Sequence, residues 1–180
     1  MRILKEQTVG LVIDIQERLF PFIAENEALT KNAGILVRGL QAMSLPILVT
    51  EQYTKGLGPT IQPLQELIAG KQILEKAAFS CCDDSAFMRE LETLGRKFVV
   101  ITGIESHVCV LQTAIDLLER NYIPVVVEDC VSSRNLNDKK MAIFRMRREG
   151  AVITTYESIL FELLRYSGTE EFKAISRLVK

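Results

Sequence analysis

Along the chain, short runs rich in β-branched and other apolar residues alternate with longer stretches in which apolar positions recur every three to four residues. The short runs TVGLVIDI (8–15), PILVTE (46–51), QILEK (72–76), KFVVITG (97–103), PVVVEDC (124–130) and AVITTY (151–156) predict six strands. The longer stretches predict helices over about 27–43, 60–69, 83–94, 107–120, 137–149 and 156–166, with a last helix from Thr169. Asp83 and Asp84 ahead of one periodic run, and Asn137 ahead of KKMAIF, are side chains of the kind that cap a helix N-terminus. Alternating strands and helices imply βα units joined by right-handed crossovers, with helices on both faces of one sheet. The expected architecture is therefore a three-layer α/β/α, Rossmann-like fold, a doubly wound, six-stranded parallel sheet in the order 3-2-1-4-5-6. With 180 residues and no linker, repeat or low-complexity tract, residues 1–180 read as one domain.

In such a sheet, ligands bind beyond the carboxyl ends of the strands, so the residues just after each strand are where chemistry is to be sought. The first strand is apolar until Asp14. The third ends in Glu75 and Lys76 ahead of AAFSCC. The fourth runs into GIESHVCV, with Gly103 opening a turn and Cys109 entering the first turn of the next helix. Taken alone, each has an ordinary structural reading: a rim carboxylate, a surface lysine, a buried cysteine. Together they supply the parts for nucleophilic catalysis, in which Cys109 attacks, Asp14 takes and returns its proton, and Lys76 keeps the acid ionised. A helix N-terminus favours thiolate over thiol, so the Cys109 pKa is expected below its free value of about 8.5. Backbone N–H groups around Glu105 and Cys109 are the expected donors to a tetrahedral oxyanion.

Composition narrows the partners. A formal net charge of -1 and a pI near 6.0 give no long-range attraction to phosphate backbones or acidic membranes, so neither nucleic acid nor membrane is expected. The densest basic cluster, Arg145, Arg147 and Arg148 beside Lys139 and Lys140, reads as a solvated or oligomer-facing surface. No stretch approaches the roughly 20 apolar residues of a membrane span, and MRILKEQTVG lacks the layout of a signal peptide; a cytoplasmic location is expected. Cys81, Cys82, Cys109 and Cys130 form no CxxC pair and no zinc spacing, and a reducing compartment keeps them as thiols.

The segments DIQERLF, EKAAFS, TGIESHVCV and VVEDCVSSR, in that order, resemble the isochorismatase-like hydrolase superfamily, and the match runs nearly end to end. The run TEQYTKGLGPT is similar to the isochorismatase domain-containing, YcaC-related subgroup. The resemblance implies an Asp, Lys and Cys triad on Asp14, Lys76 and Cys109. It also implies a non-proline cis peptide between Ile104 and Glu105 that aims the oxyanion-hole amides, and a homo-oligomer. Nicotinamidases in this superfamily hold a metal with an Asp and several His residues. This chain has only His107 and places Glu51, Gln52 and Tyr53 at the second strand end, so no metal and no cofactor are expected. Members that act on the vinyl ether of isochorismate generally lack the cysteine, so Cys109 points to amide or related acyl chemistry.

Around these residues, Phe20, Gln52, Tyr53 and Phe79 fall near the rim, either lining a pocket for a small, planar substrate or belonging to the core; Gln52 is the polar candidate. His107 precedes Cys109 by two positions, which do not share a helix face, so a turn or capping role is expected in place of a Cys–His dyad. Vicinal Cys81 and Cys82 lack a resolving architecture for redox work. Ser132, Ser133 and Arg134 border either the site or a subunit contact. The expected function is metal-independent hydrolysis of a small-molecule amide, imide or ester through a thioester on Cys109. The alternative is an oligomeric interaction protein or low-turnover relative. A ribonuclease is a third reading, opposed by the charge.

Overall fold

In the computed structural model, which describes residues 1–180, the chain runs β1 (Thr8–Ile13), α1 (Asn26–Ala42), β2 (Ile47–Gln52), α2 (Thr54–Leu57), α3 (Gln62–Gln65), β3 (Ile73–Lys76), α4 (Ser85–Leu94) and β4 (Phe98–Ile104). It continues through α5 (Leu111–Glu119), β5 (Ile123–Ser132), α6 (Leu136–Glu149), β6 (Val152–Thr154), α7 (Tyr156–Leu164) and α8 (Glu170–Leu178). The strands pair in parallel in the order β3-β2-β1-β4-β5-β6, as the alternation predicts.

Side chains alternate across a strand, and here both faces are covered. Val9, Leu11 and Ile13 of β1 join one core with Phe87 and Leu91 of α4, Leu117 of α5 and Met146 of α6. Val12 joins the opposite core with Leu36 and Leu40 of α1, Leu160 of α7 and Ile175 of α8. That double burial is why β1 is apolar at nearly every position. The chain lays down β1, β2 and β3 outward and then returns to β4 on the other side of β1, so the order reverses between β1 and β4. Their carboxyl ends flank the crevice where such folds bind ligands.

Three sequence expectations need correction. The helix expected over 60–69 is the single turn α3. Beyond it the bonding tightens to i→i−3 at Leu67 and Lys71, and the Leu67 carbonyl accepts instead from Gln41 Nε2. The cap of α6 is Asn135, whose side chain accepts from Asn137 N at 2.8 Å, while Asp84 alone caps α4, accepting from Phe87 N at 2.9 Å. Gly103 does not open a turn; it lies in β4, paired with Ile13. A Cβ there would sit 2.5 Å from the Ile13 carbonyl oxygen, and its φ of +154° disfavours a side chain as well. No helix is long and apolar enough to cross a membrane.

Candidate active site

The three carboxyl ends β1, β3 and β4 carry Asp14, Lys76 and the segment leading to Cys109 to one place. β1 ends at Ile13, and the backbone turns at Asp14 with φ +51°. Asp14 Oδ1 accepts from Thr50 Oγ1 at 2.7 Å, and Oδ2 accepts from Lys76 Nζ at 2.6 Å. Lys76 also donates to the carbonyls of Ala78 (2.9 Å) and Phe79 (3.1 Å), so all three ammonium protons have acceptors. Asp14 is 2% and Lys76 3% exposed, which sets aside the surface-lysine reading. Burial is the largest single influence and lowers the Lys76 pKa, but the charge and hydrogen bond of Asp14, together with Cys81 and Cys109, sum to more and hold the ammonium above its ordinary range.

Cys109 sits in a wide π-helical turn, Ser106–Val110, that leads into α5. Its thiol donates to Gln52 Oε1 at 3.5 Å, and the Asp14 carboxylate is near enough for its charge to act on the sulfur. The expected depression of its pKa is not found: burial pushes the thiol up, the Asp14 charge pushes it further, and Lys76 offsets only part. The helix-terminus argument fails because Cys109 is 4% exposed and faces a carboxylate directly. Cys109 therefore rests as a neutral thiol with the Asp14 charge beside it.

The cis peptide lies between Ile104 and Glu105. Glu105 Oε1 accepts from both the backbone N and the Nε of Arg134, each at 3.0 Å. Burial acts to raise the Glu105 carboxyl, yet these bonds prevail and hold it below its ordinary value. His107 Nδ1 meets Ser133 Oγ at 2.9 Å, so the residues on either side of Ser106 are tied to the start of the β5–α6 loop. Buried Ser106 Oγ has no hydrogen-bond partner.

Gln52 is half-buried, Phe20 is half-buried and packs on the α1 core, and Tyr53 and Phe79 are exposed. Sequence reasoning gave Gln16 no role. It is fully buried, accepts from Gln52 N at 2.7 Å and donates to the Gln52 and Gly58 carbonyls at 3.0 and 2.6 Å. The signal was a second polar residue two positions after Asp14, where a strand pattern would have continued. Thr50, the other partner of Asp14, carried no sequence signal. Glu51 is engaged by the backbone N and hydroxyl of Thr60, both at 2.7 Å. His, Cys, Asp and Glu side chains do not come together in threes that could hold a metal ion. The largest groove, about 550 Å³, lies away from Asp14 between His107, Leu111 and α6; hydrogen bonding, not volume, locates the site.

Cys81 lies 3.8 Å from Thr50 Oγ1, and burial pushes the thiols of Cys81 and Cys82 from 9.0 to about 12. A raised folded-state pKa stabilises the fold fully below about pH 9 and loses that contribution as pH rises toward about 12. Lys76 acts in the same direction. Urea unfolding across this window is expected to show stability falling by a few kcal/mol, since each tenfold difference in proton affinity between folded and unfolded chain is worth about 1.4 kcal/mol. In Cys81→Ala the slope should be shallower; an unchanged slope would contradict the assignment.

The model of the isochorismatase domain family matches residues 8–158. The chain is 38% identical to isochorismatase family protein 1B of Dictyostelium discoideum, across 99% of this chain and 89% of that protein. It is 36% identical to isochorismatase domain-containing protein 2A of Mus musculus, across 99% of this chain and 85% of that protein. Among solved structures, that of the MAR1 ribonuclease from Caenorhabditis elegans has a TM-score of 0.94 and 36% identity, covering 99% of this chain and 92% of that one.

Proposed function

The chain belongs to the isochorismatase family, within the isochorismatase-like cysteine hydrolases, and on that premise we propose that it cleaves a small amide, or a related imide or ester, without a metal, through a thioester on Cys109. The observation that carries this is the buried Asp14–Lys76 pair at 2.6 Å, with the Asp14 charge acting on the buried Cys109 thiol. As Cys109 sulfur bonds to the carbonyl carbon, its proton passes to Asp14 and the carbonyl electrons collect on oxygen. Backbone amides around Glu105 and Cys109 stabilise that oxyanion. Its collapse expels the nitrogen, which takes the proton back from Asp14. Water, deprotonated by Asp14, then attacks the thioester, and the departing sulfur recovers the proton. Lys76 keeps Asp14 charged between transfers and is not itself consumed.

The partners proposed are a small-molecule substrate and further copies of the chain, not nucleic acid or membrane, in the cytoplasm. Leu136, Met141 and Phe144 exposed on α6 support self-association, which sedimentation analysis decides. A panel of small amides, imides and esters, quenched in acid during turnover, is expected to leave an acyl mass on the Cys109 peptide that hydroxylamine removes. Turnover with no such adduct at any quench time would overturn the thioester. The likeness to the MAR1 ribonuclease favours a second reading, RNA cleavage. RNA degradation that requires Cys109, with no amide turnover across the panel, would establish it over the first.

A further inference from the structure

The orientation of the Gln52 side chain is set from two sides. Gln16 brackets its backbone, accepting from Gln52 N and donating to Gln52 O, so the residue cannot shift along β2 without breaking both bonds. Its carboxamide nitrogen donates to the Ala77 carbonyl at 3.1 Å. A carbonyl accepts only, so the NH2 group must face Ala77 and Oε1 must face the site. Oε1 is then a fixed acceptor 3.5 Å from the Cys109 sulfur.

The thiol has one proton, which it donates to Gln52 Oε1, with the Asp14 charge close by. When that proton moves to Asp14 during attack, Oε1 loses its donor while remaining beside the reacting carbon, which approaches sulfur to about 3–3.5 Å. The carbonyl oxygen of a substrate has no hydrogen to offer and would be repelled there. An amide N–H fits. We propose that Gln52 is the specificity-determining residue of this site, its Oε1 accepting a hydrogen bond from the N–H of the scissile amide and so selecting amides over esters. The assignment rests on the hydrolase reading above and sharpens its substrate class. It also orients the substrate, with nitrogen toward Gln52 and oxygen toward the amides that follow Ile104. An ester in the same pose leaves Oε1 unpaired, which disfavours it twice over.

The test uses iodoacetamide and methyl iodoacetate, reagents of similar shape that differ in NH2 against OCH3. In both, sulfur bonds to the CH2 carbon, iodide leaves with the C–I pair, and the thiol proton passes to Asp14. Peptide mapping reads the Cys109 rate, with buried Cys81, Cys82 and Cys130 as internal references. Relative to glutathione, the intact protein is expected to prefer iodoacetamide by about tenfold, the worth of one good hydrogen bond. Gln52→Met, which keeps length and removes the acceptor, should bring the preference to the glutathione value, and Gln52→Leu should do the same if Met packs poorly. A preference that survives both variants, or none in the intact protein, overturns the role of Gln52 and leaves the hydrolase reading standing. A Cys109 inert to both reagents sinks both.

Discussion

Cys109→Ala is expected to lower turnover of any substrate found for this chain by at least about 10³-fold, because nucleophile and base act as one unit and the remaining groups cannot replace the covalent step. Binding should survive, since the amides around Glu105 and the Gln52 carboxamide are untouched. The measurement is kcat against KM: a fall confined to kcat agrees with loss of a group used in the reaction, whereas unchanged turnover would remove the thioester mechanism altogether. Because the thiol rests protonated, Cys109→Ser should be nearly as inactive: Asp14 would have to deprotonate a hydroxyl far less acidic than a thiol.

Lys76→Met is the change with the largest expected effect on stability. It leaves the Asp14 carboxylate 2% exposed with the Thr50 hydroxyl as its remaining side-chain donor. Removing one member of a buried ion pair costs about 3–5 kcal/mol, because the other charge stays desolvated without compensation. Urea unfolding should register this as a lower midpoint with an unchanged slope. Adding Asp14→Asn to Lys76→Met should recover part of the loss. A double variant less stable than the sum of the two singles would refute the coupling.

Most of the fold could be read from the chain because the sheet is buried on both faces. β1 and β4 carry no charged residue until they reach the rim, so Asp14 stood out as the first interruption. Lys76 and Cys109 followed from the same strand-end argument and not from their own identities. What escaped was non-local. Segment 60–69 has helical periodicity, but Gln41 from α1 takes the Leu67 carbonyl, and periodicity carries no record of that competitor. Asn135 and Asn137 are equally good caps on paper; the chain direction entering α6 chooses between them. The thiol pKa went astray for a related reason: position at a turn was visible, but the depth of burial and the facing carboxylate were not. Gln16 needed the opposite strand before its purpose could appear.

The missing side chain at Gly103 bears on how this scaffold can be remodelled. β1 and β4 touch there so closely that the strand end carrying Asp14 and the one leading into the Cys109 turn start from a spacing set by the sheet lattice. The exposed Tyr53 and Phe79 side chains can therefore be varied in search of new substrates while that spacing stays fixed. Any larger residue at position 103 would wedge the two strands apart and detune the chemistry from beneath, with every reacting group still present.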